Sequence, residues 1–155
     1  MISFTIPGAP VPQGRPRVTR TGITYYDAKT KEYRERVRQC AIAAQNGAEP
    51  LTGALAMFVD CVLPIPQSWP VHRKQAALHG QWHVLRPDSS NIIKGIEDSL
   101  NGIVYEDDSQ IAILVGAKSY GKEAEVKVTI YQISNLENPR WMIGNLKRCL
   151  ASAEV

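Results

Sequence analysis

Acidic side chains are concentrated in the 25 residues from Arg86 to Gln110. The six acids of that stretch are Asp88, Glu97, Asp98, Glu106, Asp107 and Asp108. One helical pattern separates Asp88 from Asp107 and Asp108, so the chain can bring both ends of the unit to one edge of a sheet. A Mg²⁺ ion needs few protein oxygens, because water and substrate phosphate complete its shell. The spacing therefore predicts a magnesium site, with helix caps and surface turns as the alternative interpretation.

Lys94 is predicted to act beside these acids. Asn91, Lys94 and Asp98 lie at i, i+3 and i+7, so they share the polar face of one helix. An ammonium on that face can pair with a scissile phosphate and stabilise the charge that develops during cleavage. The same spacing allows an alternative, because Lys94 and Asp98 are also placed for an ordinary i,i+4 salt bridge.

Basic residues are concentrated before the acidic stretch. The eight between positions 15 and 38 are Arg15, Arg17 and Arg20, in a loop rich in proline and glycine, and then Lys29, Lys31, Arg34, Arg36 and Arg38. Cations in such a region contact phosphates without reading bases. Tyr25 and Tyr26 are placed to stack on unpaired bases. The alternative is a solvated basic helix face with two core tyrosines.

Composition and charge limit the class of protein. A chain of 155 residues predicts one domain over residues 1–155. The net charge of +3 conceals a division, because residues 1–50 carry 8 basic and 4 acidic side chains while residues 51–110 carry 4 and 7. The three cysteines lack a C-x-x-C pair, which argues against zinc ribbons and favours a reducing cytoplasm. No signal peptide, membrane span or triad-like histidine spacing is visible.

Hydrophobic periodicity predicts an α/β (α+β) fold in a single domain. Alternating or continuous apolar residues predict strands at 2–6, 55–63, 111–115 and 126–133. Helical spacing and cap residues predict helices after Asp27, near 70–78, from Asp88 to Leu100 and from Asn138 onward. The expected architecture is a mixed β-sheet flanked by helices.

Two segments carry a resemblance to the RusA family of Holliday junction resolvases. One is VPQGRPRV at 11–18, and the other is RPDSSNIIKGIEDSLNGIVYEDDSQ at 86–110. The longer segment is similar to the family pattern Pro-Asp-x-Asp-Asn-x-x-Lys, followed by Asp-x-Leu-Asn-Gly and Asp-Asp-x-Gln. The resemblance implies a homodimeric endodeoxyribonuclease that depends on Mg²⁺, with Mn²⁺ able to substitute, and that nicks opposing strands of four-way DNA junctions. It also implies a cytoplasmic protein encoded by a bacterium or a phage.

The resemblance assigns roles to particular positions of this chain. Asp88, Lys94 and Asp108 match the family's catalytic residues, and Asn91 matches a neighbouring polar position. The predicted metal ligands are Asp88 and Asp108, with Asp98 and Asp107 close by. The predicted DNA contacts are Arg15, Arg17, Arg20, Asn91 and Lys94.

One position departs from the family pattern. Ser90 stands where the pattern has its second Asp, and a neutral hydroxyl is a weaker Mg²⁺ ligand than a carboxylate. Asp98 or a water held by Ser90 could compensate, or Ser90 could cap the helix. Two alternative functions follow: a junction-binding protein with weakened or lost catalysis, and a nuclease of other branched DNA such as flaps.

Overall fold

Within the part of the chain that the structure describes, the predicted strands and helices are present as one mixed sheet with flanking helices. A computed structural model describes residues 1–14, 16–22 and 24–133 of the chain. Its strands are β1 (Ile2–Pro7), β2 (Arg17–Val18), β3 (Thr24–Tyr25), β4 (Leu55–Pro64), β5 (Ile111–Gly121) and β6 (Glu125–Gln132). Its helices are α1 (Ala28–Gln45), α2 (Val71–Leu78) and α3 (Ser89–Leu100), with a 3₁₀ turn at Asp108–Gln110.

Four of the strands form the main sheet, in the order β1-β6-β4-β5. Both neighbours of β6 run antiparallel to it, whereas β4 and β5 run parallel. A parallel pair cannot be joined by a tight turn, so the chain crosses over between these strands through α2 and α3. The acidic stretch forms the last part of this crossover. Asp88 and Asp108 therefore lie on the same connection, at the start of α3 and directly before β5. The α/β (α+β) single-domain prediction is therefore confirmed.

Apolar side chains on one face of the sheet form the core with α1 and α3. β1 alternates buried and exposed residues along its length, and α1 buries Tyr33, Val37 and Ala41. α3 packs on β5 at Gly116, where an added Cβ would collide with the Ile93 side chain. Glycine at that position lets the helix come close to the edge strand, and this close approach sets the position of α3.

The predicted cap residues act as expected at α1. The Asp27 carboxylate accepts a hydrogen bond from the Thr30 amide at 2.8 Å, which satisfies one of the free donors of the first turn. At the other end Asn46 and Gly47 both have positive φ, as is typical of a helix that stops in a left-handed conformation.

Three features differ from the sequence expectations. β5 extends to Gly121 rather than stopping at Val115, because its pairing with β4 continues over that whole length. The loop after β1 contains a small hairpin of β2 and β3. The helix expected from Asn138 onward lies outside the described residues, and the extent of the domain to Val155 stays a prediction. Among the described helices, none has the length and apolar character needed to cross a membrane.

Candidate active site

Asp88 and the first turn of α3 form one end of the candidate site. Asp88 is the N-cap residue of α3, but its carboxylate makes no cap hydrogen bond. The nearest partner is the Asn91 amide, whose Nδ2 lies 3.5 Å from Asp88 Oδ2. Ser90 is the second residue of the helix, so the suggestion that Ser90 caps it is wrong. An exposed carboxylate that is not used for capping is available to a ligand.

Amphipathic spacing gives α3 its orientation. Its apolar face carries Ile92, Ile96 and Leu100, which are fully buried. The opposite side then presents Lys94, about half exposed, away from the core. The prediction that the polar residues of this helix share one face is confirmed.

The Lys94 ammonium lies between two carboxylates. It donates to Asp108 Oδ2 at 2.5 Å and lies 3.0 Å from Asp98 Oδ1. The hydrogen bond to Asp108, and then the one to Asp98, raises the pKa of Lys94 above its ordinary value. The i,i+4 salt bridge that the sequence offered as the alternative therefore forms, and Lys94 also contacts the late acid Asp108. Its action on a scissile phosphate stays a prediction.

A capped turn fixes the backbone around Asp108. The Asp107 carboxylate accepts from the Ser109 amide at 2.9 Å, and the Gln110 side chain accepts from the Asp107 amide at 3.2 Å. This reciprocal pair is a capping box. The Ser109 hydrogen bonds lower the pKa of Asp107. In this structure Asp107 therefore has the contacts of a turn cap, the alternative that the sequence left open.

The same turn is tied to the rest of the fold by Gln110. Its Nε2 donates to the carbonyl oxygens of Leu51 at 3.1 Å and Gly53 at 3.2 Å, in the segment before β4. The turn that carries Asp108 is therefore held by hydrogen bonds within itself and by hydrogen bonds to the segment before β4.

Gln13 joins the early loop to α3, and the sequence predictions did not include it. Its Nε2 donates to Asp98 Oδ2 at 2.8 Å, and its amide donates to the Asn91 carbonyl at 2.8 Å. Its side chain lies over Gly95, where an added Cβ would sit 3.6 Å from Gln13 Cβ. The signal was present in the sequence, because Gln13 lies in the VPQGRPRV segment, but nothing local indicated its partner 85 residues away.

Two side chains that the sequence analysis named only as members of the basic and acidic stretches lie near Asp98. Arg34 of α1 places a guanidinium nitrogen 3.9 Å from Asp98 Oδ2, so Asp98 faces cations from two helices. Glu97 is half-buried, and burial raises its pKa, an effect that nearby Lys94 opposes. Of the acids in the stretch, Asp98 thus has the most contacts with its surroundings.

The predicted basic surface is only partly free for DNA. On α1, Arg34 faces Asp98, Arg36 pairs with Glu32 at 3.0 Å, and Arg38 donates to the Ser99 carbonyl at 3.4 Å. Three arginines of the helix therefore have protein partners. Lys29 and Lys31 are exposed on the same helix.

The arginines of the early loop are described to different extents. Arg20 is exposed at the turn between β2 and β3. Arg15 and the side chain of Arg17 lie outside the described part of the chain, so their predicted DNA contacts stay predictions. The tyrosines are not core residues: Tyr25 is exposed, and Tyr26 lies under the Arg34 guanidinium, 5.1 Å from ring centroid to Cζ.

An open cleft of about 620 Å³ adjoins the start of α3. The residues lining it are Pro10, Pro12, Lys29, Arg86, Pro87, Asp88 and Asn91. The side chains of Lys29 and Arg86 thus line the same cleft as the exposed carboxylate of Asp88. This combination suits a phosphate group that is to be held next to an acid.

The donor set was compared with what a divalent cation requires. Within residues 1–14, 16–22 and 24–133 there is no group of three or more His, Cys, Asp and Glu side chains placed to hold a metal ion. Two carboxylates do converge on a single positive charge, that of Lys94. One or two carboxylates are sufficient for Mg²⁺ when substrate phosphate supplies further oxygens, so the oxygen chemistry of Asp88 and Asp108 suits that ion.

Comparison with known proteins identifies the family of this chain. The family model "Endodeoxyribonuclease RusA" matches residues 7–131, which include the cleft and both ends of the site. A Bacillus subtilis (strain 168) protein with the name "Uncharacterized protein YqaN" is 36% identical over 140 residues, covering 86% of this chain and 97% of the relative. On the extent of the family match, this chain belongs to the RusA endodeoxyribonuclease family.

Proposed function

We propose that this protein is a Mg²⁺-dependent, structure-specific endodeoxyribonuclease that cleaves four-way DNA junctions. The observation that carries the proposal is Lys94, held between Asp98 and Asp108 on the helix that begins at Asp88. Membership of an endodeoxyribonuclease family supports the same class of reaction.

Lys29 and Arg86 are proposed to bind the phosphate that enters the cleft. Both line the cleft beside Asp88, and each offers charged donors to phosphate oxygens. Lys94 is fully protonated at neutral pH, because its carboxylate partners stabilise the ammonium. It therefore supplies a fixed positive charge where negative charge grows on the phosphoryl group during cleavage.

The proposed metal ligands are Asp88 and Asp108, with Asp98 and Asp107 as neighbouring carboxylates. These carboxylates would hold Mg²⁺, or Mn²⁺ in its place, and the ion would supply Lewis acidity that makes water a better nucleophile at neutral pH. Asp108 would offer its carboxylate oxygens from the capped turn, and Asp88 would offer its own from the start of α3. Asn91, 3.5 Å from Asp88, is proposed to orient that carboxylate and to contact DNA.

The wider DNA contacts are proposed to come from the early loop and the exposed side of α1. Arg15, Arg17 and Arg20 would hold the duplex arms with Lys29 and Lys31, through phosphates and without base selection. A homodimer with twofold symmetry would place two such sites on a junction of matching symmetry. A cytoplasmic location belongs to the same proposal.

A second candidate function is junction binding without efficient cleavage. It is favoured by Ser90, an exposed residue in the first turn of α3 where the family pattern has an acid. A hydroxyl adds no negative charge to the site, so metal affinity would depend on the remaining carboxylates.

The test is cleavage of a labelled four-way junction by purified protein, with Mg²⁺ or with EDTA. Asp88→Asn is the variant, and Asp60→Asn, an exposed acid on β4, is the matched control. We expect Mg²⁺-dependent nicking by the parent and by Asp60→Asn, and none by Asp88→Asn. Binding without nicking by the parent would support the second candidate. Nicking that survives Asp88→Asn would refute the ligand assignment, and equal cleavage of a flap would favour a broader nuclease.

A further inference from the structure

The connection between α2 and α3 exposes three apolar side chains close together. Trp82 is 67% exposed, Val84 83% and Leu85 48%. His83, in the middle of this segment of residues 82–85, is buried. Polar residues are usually exposed and apolar residues buried, but this segment does the opposite. Exposed apolar side chains that lie together often mark a binding site.

The 82–85 segment is held in place by β5. Trp82 forms an antiparallel bridge with Ser119, and the His83 amide donates to the Lys118 carbonyl at 3.0 Å. The Lys118 ammonium then donates to the carbonyl oxygens of Leu85 at 2.9 Å and Pro87 at 2.6 Å. The segment is therefore held against β5 by an isolated bridge and several hydrogen bonds, while three of its side chains stay exposed.

Ring contacts behind the segment determine which side chains face outward. The His83 ring lies 4.5 Å from that of Tyr120, and Tyr120 lies 5.1 Å from Trp69. Arg73 covers the other side of Trp69, with its guanidinium carbon 3.7 Å from the ring centroid. Because the His83 side chain points inward against Tyr120, the side chains of its neighbours Trp82 and Val84 point to solvent, as alternation along an extended chain predicts.

The surroundings of the segment carry positive charge. There is no Asp or Glu from Cys61 to Pro87, a range that contains Arg73, Lys74 and Arg86. The end of β5 contributes Lys118, and the following turn contributes Lys122, beside Glu123. Arg86 follows Leu85 directly and lines the cleft at Asp88, so the segment leads along the chain into a cleft whose wall also contains Lys29.

We propose that the 82–85 segment recognises the branch point of the DNA substrate, with Trp82 stacking on a base that is unpaired there. Apolar side chains beside a phosphate-binding surface separate or cover base steps, and aromatic rings stack on any base without sequence preference. The positive surroundings favour a nucleic acid over a second copy of this chain as the occupant. This inference rests on the proposed function and adds the feature that separates a branched substrate from a linear one.

The test compares binding to a four-way junction and to a linear duplex of equal length, in EDTA so that no strand is cut. The variants are Trp82→Ala and Trp82→Phe. The control is Val71→Ala, a 70% exposed apolar residue at the start of α2. We expect Trp82→Ala to lose affinity for the junction by about tenfold and to bind the duplex as the parent does. Trp82→Phe should retain most of the affinity, and Val71→Ala should match the parent.

A second measurement reports stacking directly. 2-Aminopurine placed at the branch point should be quenched by the parent and by Trp82→Phe, and should stay bright with Trp82→Ala. Unchanged junction binding by Trp82→Ala, or an equal loss on the duplex, would overturn the inference. A smaller sedimenting mass for Trp82→Ala would show instead that the segment joins two copies of the chain. A parent protein that does not prefer the junction would refute the proposed function itself, a result visible without any variant.

Discussion

Asp88 and Asp108, at the two ends of the candidate site, are held in different ways. Asp108 sits on a turn closed by a capping box, and its carboxylate accepts a hydrogen bond from the Lys94 ammonium. Asp88 begins a helix without using its carboxylate as a cap, and its side chain contact is with Asn91 at 3.5 Å. One acid is thus preorganised by the fold, and the other is left for the substrate complex. If Asp88 and Asp108 bind a cation as proposed, that cation meets one carboxylate on a capped turn and one that is less constrained.

The largest expected effect is the loss of cleavage when either Asp88 or Asp108 is replaced. Asp88→Asn and Asp108→Asn should both lose Mg²⁺-dependent cleavage, because each removes a proposed ligand. Only Asp108→Asn should also lower the melting temperature, since it alone removes an ion pair. Junction cleavage and thermal unfolding, measured on both variants, make the comparison. Equal melting temperatures in both would contradict the preorganised role of Asp108.

Lys94→Met should reduce the cleavage rate by about 10²- to 10³-fold, the usual cost of losing a charge that stabilises a transition state. Single-turnover rates with the protein in excess measure the chemical step. Junction affinity should fall far less, because the cleft keeps Lys29 and Arg86. As a control, Lys127→Met changes an exposed lysine of β6 and should leave the rate unchanged. An equal loss of rate and affinity in Lys94→Met would make Lys94 an ordinary DNA contact.

Gln13→Ala tests the link between the early loop and α3. Loss of a hydrogen bond to a charged acceptor should lower the free energy of unfolding by about 2 kcal/mol. Gln39→Ala is the control, because Gln39 makes an exposed i,i+4 bond to Glu35 that should contribute far less. Urea denaturation of the two variants gives the difference. Similar values would mean that Gln13 does not hold Asp98.

The smallest expected effect is the pH dependence of stability caused by His83, in the segment that leads to Asp88. Burial, and then the nearby Lys118, lowers the pKa of His83 from its ordinary value of 6.5. The unfolded chain then binds the proton more readily, so the free energy of unfolding should fall as pH drops below about 6.5. His83→Gln should flatten this part of the curve when unfolding is followed from pH 8 to pH 5. A steeper loss in His83→Gln would contradict the anchoring role of His83 in the 82–85 segment.

Local patterns predicted α3 well, because a helix carries its own signals. The buried isoleucines, the polar face and the start at Asp88 all follow from spacing within 13 residues. The Lys94 to Asp98 pair was predictable for the same reason. The position of Asp108 next to Lys94 followed from the resemblance rather than from periodicity.

Long-range contacts were not predictable from single-sequence patterns. Nothing near Gln13 indicates that its amide group will meet Asp98, and nothing near Gly116 indicates that Ile93 will pack on it. The second half of β5 has polar residues and glycine, which locally favour a loop, yet its pairing with β4 continues to Gly121. Cations of α1 were similarly misjudged, because partners such as Ser99 lie on another element.

The strand order also has a consequence for when the candidate site can form. β6 lies between β1 and β4, although it is the last of the described strands in the chain. A ribosome therefore releases Asp88, Lys94 and Asp108 before the sheet that supports them has its central member. Pairing over such long sequence separations is slow and comes late in folding. A partly synthesised or partly folded chain therefore lacks the complete sheet on which the candidate site depends.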